Sequence, residues 1–155
     1  WSNVIGYNYN WTNIQAALAL AQLRRIKELI DYKKWLFGEY NKGLGPIEGI
    51  QLSAAKSNVD PTYWISVAIV DEQYGFDKEE LCRRFEEYRI DMRPLFYPVS
   101  SMPPFQKYLN GQDMTEENPV TYILSKYGVC LPNGNNLTAQ DVEYVCGTFR
   151  KLLGV

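Results

Sequence analysis

Asparagine and tyrosine side chains crowd into one short segment near the start of the chain, just before a predicted helix. The segment Gly6 to Asn13 holds Asn8, Asn10 and Asn13. Side-chain amides and the unpaired N–H groups of a helix N-terminus both donate hydrogen bonds to anions. An amide bond to a charged phosphate contributes about 1.5–3 kcal/mol. The segment therefore suits phosphate binding, although the same residues could simply fill a turn, with Asn13 satisfied by helix-end backbone.

The helix after this segment is predicted to begin at Thr12. Thr12 followed by Gln15 is a capping-box pattern, and apolar residues then recur at helical spacing, which predicts one long helix over residues 14–42. The apolar arc is wide between Ala16 and Leu23 and narrows once charged residues appear. We therefore expect this end of the helix to be buried against another domain or subunit.

The remaining pattern alternates short strands and helices. Strands are predicted at Ile50–Leu52, Tyr63–Val70, Ile90–Phe96 and Val129–Leu131, and helices from Asp77 to Tyr88, over Val120–Lys126 and from Thr138 to the end, with a polar loop at residues 110–118. This order predicts an α+β fold, in which a long N-terminal helix joins a small, largely antiparallel sheet with helices packed on it.

Composition excludes several functions. With a net charge of −2 and a pI near 5.2, nothing favours binding to nucleic acid or to an anionic membrane surface. The chain has no histidine, which excludes imidazole-based catalysis and histidine metal sites, and no metal site is expected. Its three cysteines are widely spaced, so we expect reduced, mostly buried thiols and a cytoplasmic protein.

Four segments, taken in order, carry a family resemblance. They are Gly6–Leu23, Arg93–Pro98, Pro103–Phe105, and Cys130–Gly134 with Leu137, Thr138, Asp141 and Val142. Together they resemble the C-terminal domain of the DegT/DnrJ/EryC1/StrS family of sugar aminotransferases, which use pyridoxal 5′-phosphate (PLP), and most closely its perosamine-synthase branch. The resemblance implies the small domain of a fold-type I aminotransferase, with a cofactor-facing loop (residues 1–13), a connecting helix (14–42) and an α/β sandwich (47–155).

The resemblance also implies roles for individual residues. Asn8 and Asn10 stand where family members contact the PLP phosphate, while Arg93 and Tyr97 stand on the substrate side. Ser100 replaces a histidine that many members carry there, and Asn10 replaces a common arginine. For Arg93, a structural ion pair beside the proline turn is an equal alternative. We assign no catalytic residue, because no lysine here lies in the family's Schiff-base context.

The resemblance finally implies a whole protein larger than this chain. That protein would be a homodimer converting a keto-sugar nucleotide to an amino sugar, with glutamate as amino donor. The family's large domain, which holds most of the PLP contacts, is absent, and the chain begins at Trp1 without methionine. We therefore expect the chain to be an inactive fragment by itself. The alternative is a non-catalytic α+β domain for dimerisation or interaction, or a degenerate relative.

Overall fold

Two consecutive helices occupy the first part of the fold, in a computed structural model that describes residues 2–155. Helix α1 spans Asn13–Leu23 and helix α2 spans Ile26–Leu44. Residues 2–12 precede them without regular structure. Trp1, where the predicted cofactor-facing loop begins, lies outside the described residues.

The expectation of one unbroken helix over residues 14–42 was wrong at Arg24 and Arg25. The N–H of Arg25 donates to the carbonyl of Gln22, three residues back, at 3.1 Å. Arg25 itself leaves the helical region, with φ −116° and ψ 18°. The last turn of α1 thus closes with a hydrogen bond over three residues instead of four, and α2 begins after it. Neither glycine nor proline marks this junction, so the usual residues that signal the end of a helix are missing here.

A four-stranded antiparallel sheet lies at the centre of the fold. Its strands are β1 (Ile50–Leu52), β2 (Val67–Val70), β3 (Arg93–Pro94) and β4 (Gly128–Cys130), in the order β1-β2-β4-β3. Every neighbouring pair is antiparallel. The predicted α+β class, with a small antiparallel sheet and helices packed on it, is confirmed.

Two predicted strands are shorter than expected. The stretch Ile90–Phe96 forms a strand only at Arg93–Pro94. The apolar run Tyr63–Val70 forms a strand only from Val67 onward. Tyr63 has a positive φ of 48°, a left-handed conformation that a strand does not allow. Its ring stacks on Phe37 of α2, with centroids 3.8 Å apart and planes 7° apart. The aromatic contact therefore takes Tyr63 out of the sheet and places it against the helix.

The other helices follow their predicted starts. They are α3 (Lys78–Glu86), α4 (Met114–Glu117), α5 (Pro119–Tyr127) and α6 (Ala139–Leu153). Asp77 caps α3, and Thr138 with Asp141 forms a complete capping box on α6. The capping box predicted at Thr12 and Gln15 is also present on α1. The short helix α4 was not expected, since its residues lie within the predicted polar loop.

The core lies between one face of the sheet and three helices. It includes Leu36, Tyr40 and Leu44 of α2, Ala68 and Val70 of β2, Leu81 and Phe85 of α3, Val129 of β4, and Val142, Cys146 and Phe149 of α6. The register places Ala68 opposite Val129, so both side chains point to the same face. The rings of Phe85 and Phe149 meet with centroids 4.5 Å apart. Helix α1 contributes no buried residue to this core.

Helices α2 and α6 approach closely at Gly43. A Cβ added to Gly43 would lie 2.5 Å from the Sγ and 3.0 Å from the Cβ of Cys146. Gly38 lies on the same helix, and a Cβ there would meet nothing within 4 Å. Alanine substitutions at these two glycines therefore separate the packing effect of a methyl group from its effect on helix propensity.

We expect Gly43→Ala to lower the free energy of unfolding by about 1–3 kcal/mol, because the methyl group overpacks the α2–α6 contact. Gly38→Ala is the matched control and should raise stability by roughly 0.5–1 kcal/mol, since alanine favours the helix. Denaturant unfolding measures both. Adding Cys146→Ala to Gly43→Ala should recover part of the loss. Equal effects of the two single substitutions would contradict the close helix approach.

We also expect the three cysteines, all free and buried, to resist thiol reagents in the folded protein. Burial raises the pKa of Cys82 and Cys146 from 9.0 to about 11, and also raises the pKa of Cys130. At pH 8 a shift of this size lowers the thiolate fraction roughly a hundredfold. A chromogenic disulfide reagent should therefore react slowly with native protein and fast with all three thiols in guanidinium chloride.

The same shifts set the sign of a pH effect on stability. A group whose folded-state pKa is raised stabilises the native state fully below its unfolded pKa, and that contribution disappears as pH rises through the folded pKa. The thiol contribution should therefore decline between pH 9 and pH 11. Replacing Cys82 and Cys146 with alanine should remove that part of the decline. In the experiment with the disulfide reagent, fast reaction of the native thiols at pH 8 would contradict their burial.

Candidate functional site

The segment before α1 exposes its polar side chains to solvent. Residues 2–12, which we call the arm, are all exposed, including Asn8 and Asn10. Within residues 2–155, neither of these amides makes a hydrogen bond. The rings of Tyr7 and Tyr9 lie side by side, with centroids 6.2 Å apart. The amides are thus available to a group from outside the domain.

The capping box shapes the N-terminal end of α1. Thr12 Oγ1 accepts from the N–H of Gln15, and the Thr12 N–H donates to Gln15 Oε1 at 2.8 Å. The first backbone N–H groups of the helix, those of Asn13 and Ile14, have no helical carbonyl to bond. They therefore join the two amides as donors at the positive end of the helix.

Helix α1 is apolar and uncovered. Ile14, Leu18, Leu20 and Leu23 are each at least half exposed. Residues 1–23 contain no Asp, Glu, Lys or Arg. A contiguous apolar surface of this kind marks an interaction site. The predicted burial of this helix end is thus not provided by the domain itself.

The second predicted group, Arg93, Tyr97 and Ser100, lies on the segment that begins with β3. Each side chain is held by a different part of the fold. The exposed guanidinium of Arg93 pairs with Asp91 at 3.1 Å. The Tyr97 hydroxyl donates to Glu79 Oε1 at 2.6 Å. Ser100 Oγ shares a hydrogen bond of 2.9 Å with the hydroxyl of Tyr122 on α5.

The ion pair foreseen as an alternative for Arg93 is therefore present. Both partners are about three-quarters exposed, so the pair contributes little to stability, roughly 0–1 kcal/mol. An exposed guanidinium on a weak pair can exchange its partner for another anion at small cost. The structural pair and an anion-binding role are thus compatible at this position.

A residue that sequence reasoning missed lies beside Tyr97. The ammonium of Lys78 is 3.6 Å from the centroid of the Tyr97 ring, and Lys78 is only 2% exposed. The sequence did hold a signal, because Lys78 precedes Leu81, Cys82 and Phe85 at the spacing of the buried helix face. A lysine at such a position is rarely buried unless it is paired.

Two pKa shifts describe the electrostatics here. Burial lowers the pKa of Lys78, and the nearby carboxylates of Glu79 and Asp77 oppose that effect. The hydrogen bond to Glu79 is the main cause that raises the pKa of Tyr97. Tyr97 thus stays a neutral hydrogen-bond donor well above neutral pH.

Residues 2–155 bring together no group of three or more His, Cys, Asp or Glu side chains that could hold a metal ion. Among the same residues, no helix is long and apolar enough to cross a membrane.

Comparison with known proteins identifies the family. The model of the DegT/DnrJ/EryC1/StrS aminotransferase family matches residues 1–150. The GDP-perosamine synthase of Escherichia coli O157:H7 is 34% identical over 147 residues, covering 94% of this chain and 37% of that protein. The GDP-perosamine synthase of Vibrio cholerae is 25% identical, covering 97% and 40%. The chain thus spans well under half the length of these relatives.

Solved structures share the fold. The aminotransferase PseC from Helicobacter pylori, involved in the biosynthesis of pseudoaminic acid, superposes with a TM-score of 0.79 at 16% identity, covering 98% of this chain and 40% of that one. The PLP form of Spr1654 from Streptococcus pneumoniae, assigned as a sugar aminotransferase, gives 0.79 at 23% identity, covering 94% and 36%.

The chain therefore belongs to the DegT/DnrJ/EryC1/StrS aminotransferase family, and it corresponds to the C-terminal part of its longer members. The family resemblance drawn from the four sequence segments is confirmed.

Proposed function

We propose that this chain is the C-terminal domain of a PLP-dependent aminotransferase that makes an amino-sugar nucleotide from a keto-sugar nucleotide. Glutamate is the proposed amino donor. The names of the relatives support a GDP-linked sugar, since GDP-perosamine synthases from three bacteria match nearly the whole chain. The protein as a whole would contain the large domain in addition to this one.

The observation that carries the proposal is the exposed, uncharged surface formed by the arm and α1. An eleven-residue helix without tertiary packing is only marginally stable in water. Its apolar side chains therefore require cover from the large domain or from a second subunit. A homodimer that buries α1 would bring the arm to the partner's active site.

The donors on the arm fit the phosphate of PLP. Asn8 and Asn10 present unpaired amides beside a capped helix start, and the arm contains no carboxylate to repel an anion. When bound, PLP supplies the electron sink for amino-group transfer. The role of this chain would be to hold the phosphate through these amides and to exclude water with the apolar residues beside them.

The segment from Arg93 to Ser100 would form the substrate side. Arg93 offers a guanidinium for the diphosphate, because its present partner is a solvent-exposed carboxylate. Tyr97 and Ser100 offer hydroxyl groups for the sugar. The three reduced, buried thiols support a cytoplasmic setting, where such cysteines persist.

We expect Asn8→Ala combined with Asn10→Ala to weaken PLP retention by the longer polypeptide. Each lost bond to a charged group corresponds to roughly a tenfold change in affinity. Dialysis followed by cofactor absorbance measures the retained fraction. Asn3→Ala removes another exposed amide of the arm and serves as the control. Retention equal to that of the control would remove the phosphate role from this loop.

The proposed activity is tested on the longer polypeptide that contains this chain, purified with PLP. Its visible absorbance should show a cofactor band that borohydride bleaches, leaving the cofactor covalently attached. The attachment should map to a lysine that precedes residue 1. A folded protein without such a band would favour the alternative, a non-catalytic domain whose uncharged helix serves only for assembly.

A further inference from the structure

A buried lysine connects three parts of the fold at the proposed substrate side. The ammonium of Lys78 donates to the carbonyl of Leu95 at 2.8 Å and to Ser125 Oγ at 3.2 Å. It also lies against the face of the Tyr97 ring. One cation thus joins α3, α5 and the segment after β3.

This position is costly for a lysine. Lys78 is the first residue of α3, where the positive end of the helix dipole disfavours another positive charge. It is also almost fully buried, which disfavours an ammonium ion further. A residue that breaks two local rules is expected to provide a compensating gain elsewhere.

The compensating gain is that residues 95–97 are held in one conformation. Lys78 holds the carbonyl of Leu95, and Ser125 Oγ donates to the carbonyl of Phe96 at 2.8 Å. The Tyr97 ring has the Lys78 ammonium on its face, while its hydroxyl donates to Glu79. Two adjacent residues of α3 therefore hold Tyr97 at its ring and at its hydroxyl.

Phe96 lies in the middle of this segment and is not held by burial of its side chain. Its side chain is 63% exposed, so burial of this side chain does not fix the backbone at residue 96. Beyond Tyr97, Pro98 is buried and Ser100 shares a hydrogen bond with Tyr122, so the segment is held again from residue 98 onward. Tyr97 thus lies between an exposed residue and a buried one, and α3 provides the contacts to its ring and to its hydroxyl.

We propose that Lys78 and Glu79 are positioning residues, which fix Tyr97 and the backbone of residues 95–97 in the orientation that binds the nucleotide sugar. This assignment rests on the proposed function, because it takes Tyr97 as a substrate contact. Neither residue needs to touch the substrate.

The test uses the longer polypeptide loaded with PLP and compares Lys78→Met, Lys78→Arg and Lys151→Met. Lys78→Met removes the charge and the donors but keeps an unbranched side chain. Lys78→Arg keeps both and should largely restore function. Lys151 lies 4.8 Å from the Tyr88 ring on the surface, so Lys151→Met removes a comparable lysine–tyrosine contact elsewhere.

Lys78→Met should weaken binding of GDP-perosamine, the amino-sugar nucleotide in the names of the relatives, roughly tenfold. The reason is indirect: if Tyr97 adopts its binding orientation only about a tenth of the time, the apparent affinity falls by that fraction. Calorimetric titration measures that affinity, and steady-state kinetics should show the loss in KM for the keto-sugar nucleotide more than in kcat. The KM for glutamate should stay unchanged. Lys151→Met should leave the product affinity, kcat and both KM values unchanged.

A fluorotyrosine placed at position 97 gives a readout independent of activity. Its fluorine resonance should be single and sharp in the parent protein and broadened or split in Lys78→Met, with Lys78→Arg close to the parent. If Lys78→Met does not fold, Glu79→Ala carries the test, since Glu79 is exposed and accepts from the Tyr97 hydroxyl. It should weaken product binding and broaden the same resonance.

Two failures are distinguishable. A parent protein that neither binds product nor transfers an amino group would overturn the proposed function, and this assignment with it. An active parent whose Lys78→Met variant keeps its product affinity and its sharp resonance would overturn the positioning role alone. A loss of affinity that only follows a lower folded fraction, measured by circular dichroism, would also overturn it.

Discussion

The packing of α2 against α6 and the loop before it determines the direction in which α1 and the arm extend. Tyr40 donates to the carbonyl of Pro132 at 2.9 Å, and Tyr32 donates to the carbonyl of Leu137 at 2.6 Å. Both bonds fasten the helix to the loop that precedes α6. Further along, the absence of a side chain at Gly43 brings α2 against Cys146. The position of α2 is therefore fixed along its length, and α1 and the arm extend from a rigid base.

The two halves of the candidate site are prepared in different ways. The side chains of Tyr97 and Ser100 already have hydrogen-bond partners within the domain, so this part of the site is ordered before any ligand arrives, while Arg93 keeps only a weak, exposed ion pair. The arm has a capped helix but no core contact, so its order depends on whatever covers α1. Under the proposed function, the substrate side would be built by this domain and the phosphate side would be completed by assembly.

Much of the fold was readable from local chemistry. The capping pairs Thr12 with Gln15 and Thr138 with Asp141 predicted two helix starts correctly, because such pairs satisfy backbone donors wherever they occur. Short apolar runs predicted the strands at Ile50 and Val129. Both signals depend on neighbours in sequence, which a sequence displays directly.

The failures arose where distant contacts decide the conformation. Tyr63 leaves its predicted strand to stack on Phe37, which lies in helix α2. The turn at Arg25 is a different case, because it is local but has neither glycine nor proline to mark it. Lys78 was overlooked because its partners, Leu95 and Ser125, are remote in sequence. The candidate residues themselves came from family resemblance, which locates positions but gives neither their partners nor their burial.

The uncharged character of residues 1–23 has a consequence for how the whole protein would assemble. Contacts between charges weaken as salt screens them, whereas burial of apolar surface does not depend on such screening. Apolar burial instead weakens on cooling, because its driving force near room temperature is largely entropic. An interface formed through α1 would therefore hold in high salt and loosen in the cold, so that low temperature rather than ionic strength would separate the subunits.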